Sequence, residues 1–179
     1  ANIVMTRLKG KDIELILDIA PSLPNKLSGD NIRIKQILLN IANNAAKFTF
    51  EGKITIKVGY TAISSEEIEL QVSVEDTGVG IKQADMGKLF QSFQQVDSKR
   101  NRNIEGTGLG LAISRHLLSL MNGTIQVESE YQKGSRFSFS LPQKIVDKTP
   151  CIRIQEPDTL VVAGLLANPF LSKGIESDV

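Results

Sequence analysis

Residues 106–122 read G-T-G-L-G-L-A-I-S-R-H-L-L-S-L-M-N, a glycine-rich turn that runs directly into an amphipathic helix. Gly106, Gly108 and Gly110 remove side chains from the turn, so its backbone N–H groups can approach a bulky anion. The helix start adds unpaired N–H groups and the positive end of its dipole. The apolar positions at helical spacing are Leu109, Ala112, Ile113, Leu117 and Leu120. Asn122-Gly123 predicts the helix end, and the whole stretch predicts a phosphate-binding cradle.

The cradle motif is weak evidence by itself. Its G-x-G-x-G spacing differs from the dinucleotide-binding G-x-G-x-x-G, and no hydrophobic strand runs directly into it. No Gly-Lys-Ser/Thr follows, so it is not a P-loop. A flexible turn before a core helix remains an alternative on this stretch alone, and the rest of the chain has to decide.

Composition places the chain among soluble globular proteins. With 179 residues, 41% of them hydrophobic and 23% charged, it predicts one main domain with an appendage. A net charge of +1 argues against a general nucleic-acid binder. The single Cys151 excludes an internal disulfide and a cysteine metal cluster, which is typical of a reducing compartment. No signal peptide or membrane-spanning apolar run is present, so we expect a cytoplasmic fragment without membrane insertion, whether or not its parent is anchored.

The hydrophobic periodicity predicts alternating strands and two long helices. Strands are expected at 13–19, 54–60, 68–74, 125–127 and 137–141, and helices at 31–48, 82–93 and after the glycine turn. Asp30 is the expected N-cap of the first helix. Residues 94–105 show neither period and predict a polar flap. Five half-apolar strands need cover on one face, which predicts an α+β, two-layer sandwich with a mixed, mainly antiparallel sheet covered on one face by helices.

Four motifs occur in a fixed order along the chain. They are Asn40-x-x-x-Asn44-x-x-Lys47-Phe48, Asp76-Thr-Gly78-Val-Gly80, Phe90-x-x-Phe93 and Gly106-Thr107-Gly108-Leu109-Gly110. Together they resemble the ATP-binding catalytic domain of sensor histidine kinases, in the family shared with gyrase, mismatch-repair and heat-shock ATPases. The resemblance covers residues 12–142 and implies a Bergerat-type ATP-binding fold.

The resemblance implies how adenine would be bound. Asp76 corresponds to the aspartate that accepts a hydrogen bond from the adenine amino group, which would satisfy an otherwise costly sheltered carboxylate. Gly78 and Gly80 would let the backbone bend under the base. Phe48 and Ile81 would pack on its faces, although both could equally be core residues.

The resemblance also implies how the phosphates and a metal would be bound. Asn44 corresponds to the family's Mg²⁺ ligand, and an amide oxygen suits this hard cation. Lys47 and Arg102 would contact phosphate, as would the glycine motif that contains Thr107 and Leu109. The implied cofactors are ATP and Mg²⁺. Ser135 holds a position where hydroxyls approach the adenine site through water.

Asn40, which with Asn44 and Lys47 is expected to contact a nucleotide lying along the helix, also separates the functional alternatives. Hydrolases of this family carry a glutamate there as general base for water, and asparagine cannot take a proton. A kinase whose nucleophile arrives from elsewhere is therefore favoured. An ATP hydrolase or clamp, and a nucleotide-sensing module without transferase activity, remain the alternatives.

The expected phosphate acceptor is not in this chain. Its one histidine, His116, lies inside the cradle helix and is expected to be a packed or half-exposed structural residue. No residue is therefore assigned as catalytic. The implied partners are a histidine-bearing dimerisation domain of the same parent and a downstream response-regulator receiver.

The predicted domain boundaries follow from the same patterns. Residues 1–11 are read as the tail of a preceding element and residues 12–142 as the catalytic domain. Residues 143–158 are polar and predict a linker. Residues 159–179 contain a short apolar segment that predicts the start of a degenerate or truncated receiver.

Overall fold

The computed structural model describes residue 8, residues 10–91 and residues 108–152. The strands are β1 (Asp12–Ile19), β2 (Pro24–Ser28), β3 (Glu51–Ala62), β4 (Glu67–Asp76), β5 (Thr124–Glu130) and β6 (Gly134–Pro150), and the helices are α1 (Asn31–Phe48), α2 (Gln83–Met86) and α3 (Gly110–Leu120). The six strands form one sheet in the order β1-β3-β4-β6-β2, with β5 paired to β6. β1 runs parallel to β3 and the other pairs are antiparallel. The predicted mixed α+β architecture is confirmed.

Helix α1 lies where its pattern predicts. The Asp30 carboxylate accepts a hydrogen bond from the Arg33 N–H at 3.0 Å, so Asp30 is the N-cap. Its buried face consists of Ile37, Ile41, Ala42, Ala45 and Ala46. This face packs with Leu118 of α3 and with alternate side chains of β3, β4 and β6, so the helices cover one face of the sheet.

Helix α3 ends as predicted but faces the core differently. Asn122 adopts a left-handed φ of 56°, and the Gly123 N–H donates to the Leu118 carbonyl at 2.8 Å. Ile113 and Leu120, expected on the apolar face, are 42% and 58% exposed. The buried face contains Ser114 and Leu118 instead. Because a serine lies on that face, a search for apolar spacing places the face incorrectly.

The sheet is larger than predicted, because it includes β2 and a longer β6. β2 had no strand signal, and β6 continues to Pro150 rather than ending near residue 141. Residues 143–150, expected in a linker, therefore belong to the sheet, where Ile145 pairs with Leu27. Their mixed polar composition is typical of an edge region and hides the pairing.

Two further expectations concern the helices. The helix predicted over residues 82–93 is the short α2, followed by turns up to residue 90. In the described ranges no helix has the length and apolar character needed to cross a membrane.

Candidate nucleotide-binding site

Asp76 ends β4 as a buried carboxylate, with 6% of the residue exposed. Its Oδ1 accepts a hydrogen bond from the Gly78 N–H at 2.9 Å. Burial raises the pKa of Asp76 above its ordinary value of 3.8, and the Gly78 and Ser135 N–H groups oppose that rise. A carboxylate has about four acceptor positions, so two backbone donors leave it able to accept from a ligand.

Residues 76–81, here called the Asp76 turn, need glycine at two positions. A side chain on Gly78 would overlap the carbonyl oxygen of Phe48. Gly80 has a left-handed φ of 63°, and a side chain there would overlap the carbonyl of Glu130. The turn is therefore pressed against the end of α1 on one side and the β5–β6 hairpin on the other.

Backbone and hydroxyl contacts hold the Asp76 turn in place. The Val79 N–H donates to the Phe48 carbonyl at 3.2 Å, and the Val79 carbonyl accepts from Gln132 at 2.7 Å. The Ile81 N–H donates to Ser129 Oγ at 2.8 Å. A fixed turn of this kind presents Asp76 in one orientation.

Two polar residues near Asp76 were not assigned from the sequence. Thr49, fully buried, slightly lowers the pKa of Asp76, yet its hydroxyl makes no hydrogen bond of good geometry in the described part of the chain. Ser129 lies 3.0 Å from the Ser135 hydroxyl, Oγ to Oγ. A polar residue directly after Phe48, at a helix end, was a signal for Thr49, whereas nothing in the pattern marked Ser129. Ser135 itself is the strand partner of Asp76.

Four of the predicted site residues lie along α1, at increasing distance from Asp76. Phe48 lies at its C-terminal end, next to the Asp76 turn, and Ile81 packs partly buried against the core. The Lys47 ammonium lies 4.9 Å from the centre of the Phe48 ring. Asn44 and Asn40 follow one and two turns further along α1, and a rise of 1.5 Å per residue separates Asn40 from Phe48 by about 12 Å.

Asn40 joins α1 to α3. Its side-chain N–H donates to Ser114 Oγ at 2.9 Å, and Ser114 is only 2% exposed. A side chain on Gly110 would overlap Asn40 Oδ1. A side chain on Gly110 would thus require Asn40 to move, whereas Gly108 adopts a left-handed φ of 69°. The local constraints on the two glycines therefore differ.

Helix α3 begins without a side-chain cap from any residue that the structure describes. Leu109 precedes the helix, and its carbonyl accepts from the Ile113 N–H at 2.9 Å. The first N–H groups of a helix lack intrahelical partners. A groove of about 430 Å³ between α1 and α3 is lined by Asn40, Asn43, Gly110 and Ser114 together with Ile32, Lys35, Gln36, Leu39 and Ile113. Neither Asn44 nor Lys47 is among its lining residues, so the groove adjoins the start of α3 on the side of the first turns of α1.

Several predicted residues lie outside the described ranges. These are Arg102, Gly106, Thr107, Phe93, the flap at 94–105 and the segment at 159–179. Among the described residues, no group of three or more His, Cys, Asp or Glu side chains could hold a metal ion. A lone amide such as that of Asn44 suits Mg²⁺ only if phosphate oxygens and water complete the shell, which is the usual arrangement for nucleotide-bound Mg²⁺.

His116 is exposed on α3, so its packed interpretation is wrong. Its backbone carbonyl accepts a hydrogen bond from Ser119 at 2.8 Å. The histidine is a surface residue of a helix and is not among the groups that surround Asp76.

The fold is an α+β domain with a helix-covered sheet and a buried carboxylate beside a glycine turn. The chain belongs to the histidine kinase-, DNA gyrase B-, and HSP90-like ATPase family, whose model matches residues 29–145.

Similar proteins of this kind are hybrid and sensor histidine kinases. The chain is 40% identical to hybrid signal transduction histidine kinase B of Dictyostelium discoideum, over 90% of this chain and 8% of that protein. It is 40% identical to signal transduction histidine-protein kinase BarA of Escherichia coli K12, over 86% of this chain and 16% of that protein. The chain therefore spans a small part of these relatives.

Solved histidine kinases share the fold. Full-length ShkA in complex with AMPPNP matches with a TM-score of 0.67 and 32% identity, over 85% of this chain and 30% of that chain. The mycobacterial sensor histidine kinase MprB matches with a TM-score of 0.61 and 26% identity, over 81% and 91% respectively. The chain is thus similar to an ATPase-type domain of histidine kinases.

The raised pKa of Asp76 predicts how the stability of the nucleotide-free domain depends on pH. Because the folded pKa lies above 3.8, the contribution of Asp76 to stability is fully present below pH 3.8 and is lost as pH rises through the folded pKa. The melting temperature of Asp76→Asn, relative to wild type, should therefore rise across that window. Thermal unfolding followed by circular dichroism from about pH 3 to pH 7 measures it. A difference that stays constant or falls with increasing pH would contradict the raised pKa.

Proposed function

We propose that this chain binds Mg-ATP and donates the γ-phosphoryl group to a histidine on a separate dimerisation domain. The observation that carries the proposal is that α1 links the Asp76 turn to α3. The C-terminal end of α1 meets the Asp76 turn, and Asn40, two turns away, bonds to Ser114 of α3. This spacing suits a ligand with a base at one end and phosphates at the other.

The adenine end would be recognised by Asp76. Its carboxylate is buried, held by the Gly78 N–H, and retains acceptor capacity that the adenine amino group can fill. Phe48, whose carbonyl accepts from the Val79 N–H in the middle of this turn, and Ile81, its last residue, would provide apolar surface against the base. Gly78 and Gly80 keep the backbone clear of side chains there.

The phosphate end would be recognised by Asn44, Lys47 and the start of α3. Asn44 would be a protein ligand of Mg²⁺, whose bound charge neutralises and aligns the phosphates. Lys47 adds a positive charge on the same helix. Arg102 and residues 106–110 complete this proposal from the sequence, and Gly108 and Leu109 lead directly into the helix.

Transfer to a protein group is favoured over transfer to water by the chemistry of Asn40. An amide has no basicity to take a proton from water, and this one is already engaged with Ser114. Phosphoryl transfer needs mainly positioning and charge stabilisation, so a nucleophile brought by another domain can serve.

The partners of the proposal follow from the relatives. Proteins named hybrid histidine kinases extend far beyond the part that this chain matches. We place the acceptor histidine on a dimerisation domain of the same parent and a receiver downstream. Residues 151–158 would then be the linker, shortened by the extent of β6, and residues 159–179 the start of the receiver.

Base selectivity tests the proposed ligand. Adenine carries an amino donor where guanine carries a carbonyl acceptor, and an acceptor facing Asp76 leaves a buried charge unsatisfied. We expect Mg-GTP to bind at least about tenfold more weakly than Mg-ATP by calorimetry, since one hydrogen bond to a charged group contributes about 1.5–3 kcal/mol. Equal affinities, or tighter binding of GTP, would remove Asp76 from base recognition.

A further inference from the structure

A hydrogen bond from Asn40 to Ser114 links α1 to α3. We propose that Asn40 is a positioning residue that fixes the first turn of α3 relative to α1 and thereby aligns the phosphates for transfer. The inference rests on the proposed function, and it gives Asn40 a role through α3 in place of a direct contact with the nucleotide.

The hydrogen bond from Asn40 to Ser114 can fix the position of α3 relative to α1. Asn40 donates to Ser114 Oγ over 2.9 Å, and Ser114 is almost fully buried. Loss of Asn40 would leave the buried Ser114 hydroxyl without this partner, whereas Asn40 itself is half-buried and lines the groove between the helices. Ser114 lies one helical turn after Gly110, so fixing it also fixes the start of α3.

The Asn40 side chain also lies close to Gly110, the first residue of α3. The backbone of Gly110 is not in the left-handed region, so its conformation does not require glycine. Alanine would be the better helix former by intrinsic propensity. A methyl group at this position would overlap Asn40 Oδ1, so Asn40 would have to move away from its present position. The lack of a side chain at Gly110 therefore leaves the Asn40–Ser114 hydrogen bond undisturbed.

The location of this contact separates alignment from base binding. Asn40 lies two turns of α1 from Phe48 and the Asp76 turn, whereas it is in direct contact with the helix start expected to face phosphate. A shift of α3 would change how its N–H groups meet the phosphates and would leave the Asp76 turn in place. The expected effect falls on the rate of transfer, with little effect on base affinity.

A double-mutant cycle between Asn40→Ala and Gly110→Ala tests the inference. In the wild-type background, Gly110→Ala should lower the melting temperature because it displaces Asn40. In the Asn40→Ala background the same change should raise it, because the space is free and alanine favours the helix. Gly87→Ala is the matched control, since Gly87 has a right-handed φ of −66° and no atom within 4 Å of the added methyl group.

Activity provides the second readout of the same cycle. Asn40→Ala, Gly110→Ala and Ser114→Ala should each reduce the transfer rate to an acceptor domain at least tenfold, while adenosine affinity stays within twofold. The double variant should be no slower than Asn40→Ala. Additive losses in the double variant, or a parallel fall in adenosine affinity, would overturn the positioning role. If the wild-type chain transfers no phosphate, the proposed function fails, while the melting-temperature cycle still decides whether Asn40 and Gly110 act as one unit.

Discussion

Asp76→Asn is expected to weaken ATP binding by about tenfold to a hundredfold, the equivalent of a charged hydrogen bond worth about 1.5–3 kcal/mol. The asparagine side chain keeps one acceptor oxygen and gains an amino donor. That donor would face the Gly78 and Ser135 N–H groups or the adenine amino group, all of which are donors themselves. Calorimetric titration with Mg-ATP measures the loss.

Asp147→Asn is the matched control for this change. Asp147 is a carboxylate near the end of β6 that accepts hydrogen bonds from the Thr149 N–H and hydroxyl, which lower the pKa of Asp147. Its neighbours are remote in sequence and strand position from the Asp76 turn. Undiminished affinity in Asp76→Asn, or an equal loss in Asp147→Asn, would exclude a specific role for Asp76.

Asn44→Ala is expected to slow phosphoryl transfer about a hundredfold and to weaken base binding much less. Its amide oxygen is the proposed protein ligand of Mg²⁺, and misalignment of a reacting group by about 1 Å can cost a hundredfold in rate. Adenosine, which lacks phosphates, should bind the variant and the wild type equally. Single-turnover transfer rates, together with adenosine titrations, separate the two effects.

Asn31→Ala provides the control on the same helix. Asn31 is exposed at the start of α1, more than three turns before Asn44. It should change neither the rate nor the affinity. A loss of adenosine binding in Asn44→Ala that matches its loss of transfer would show that the residue supports the fold of the site instead of the metal.

The sequence was most informative where local chemistry decides structure. Asp30 is a side-chain N-cap before an amphipathic run, so the bounds of α1 could be predicted. Asp76 with Gly78 and Gly80 predicted a tight turn after a strand, and the structure adds the steric reason for the glycines. These features depend on residues close together in the chain.

The sequence was least informative where distant residues meet. β2 and the second half of β6 form strands because they pair with each other, and neither shows a strong period by itself. The closeness of Gly110 to Asn40 could not be predicted, because the two residues are far apart in the chain. The exposed Ile113 and the buried Ser114 reverse the polarity expected of their positions for the same reason.

Transfer of radiolabelled phosphate tests the central claim most directly. The chain, Mg²⁺ and γ-labelled ATP are incubated with and without the histidine-bearing dimerisation domain of its parent. We predict label on that domain's histidine only when all components are present, with very slow phosphate release and no label on the chain alone. Rapid phosphate release by the chain alone, or stable labelling of His116, would contradict the proposed function.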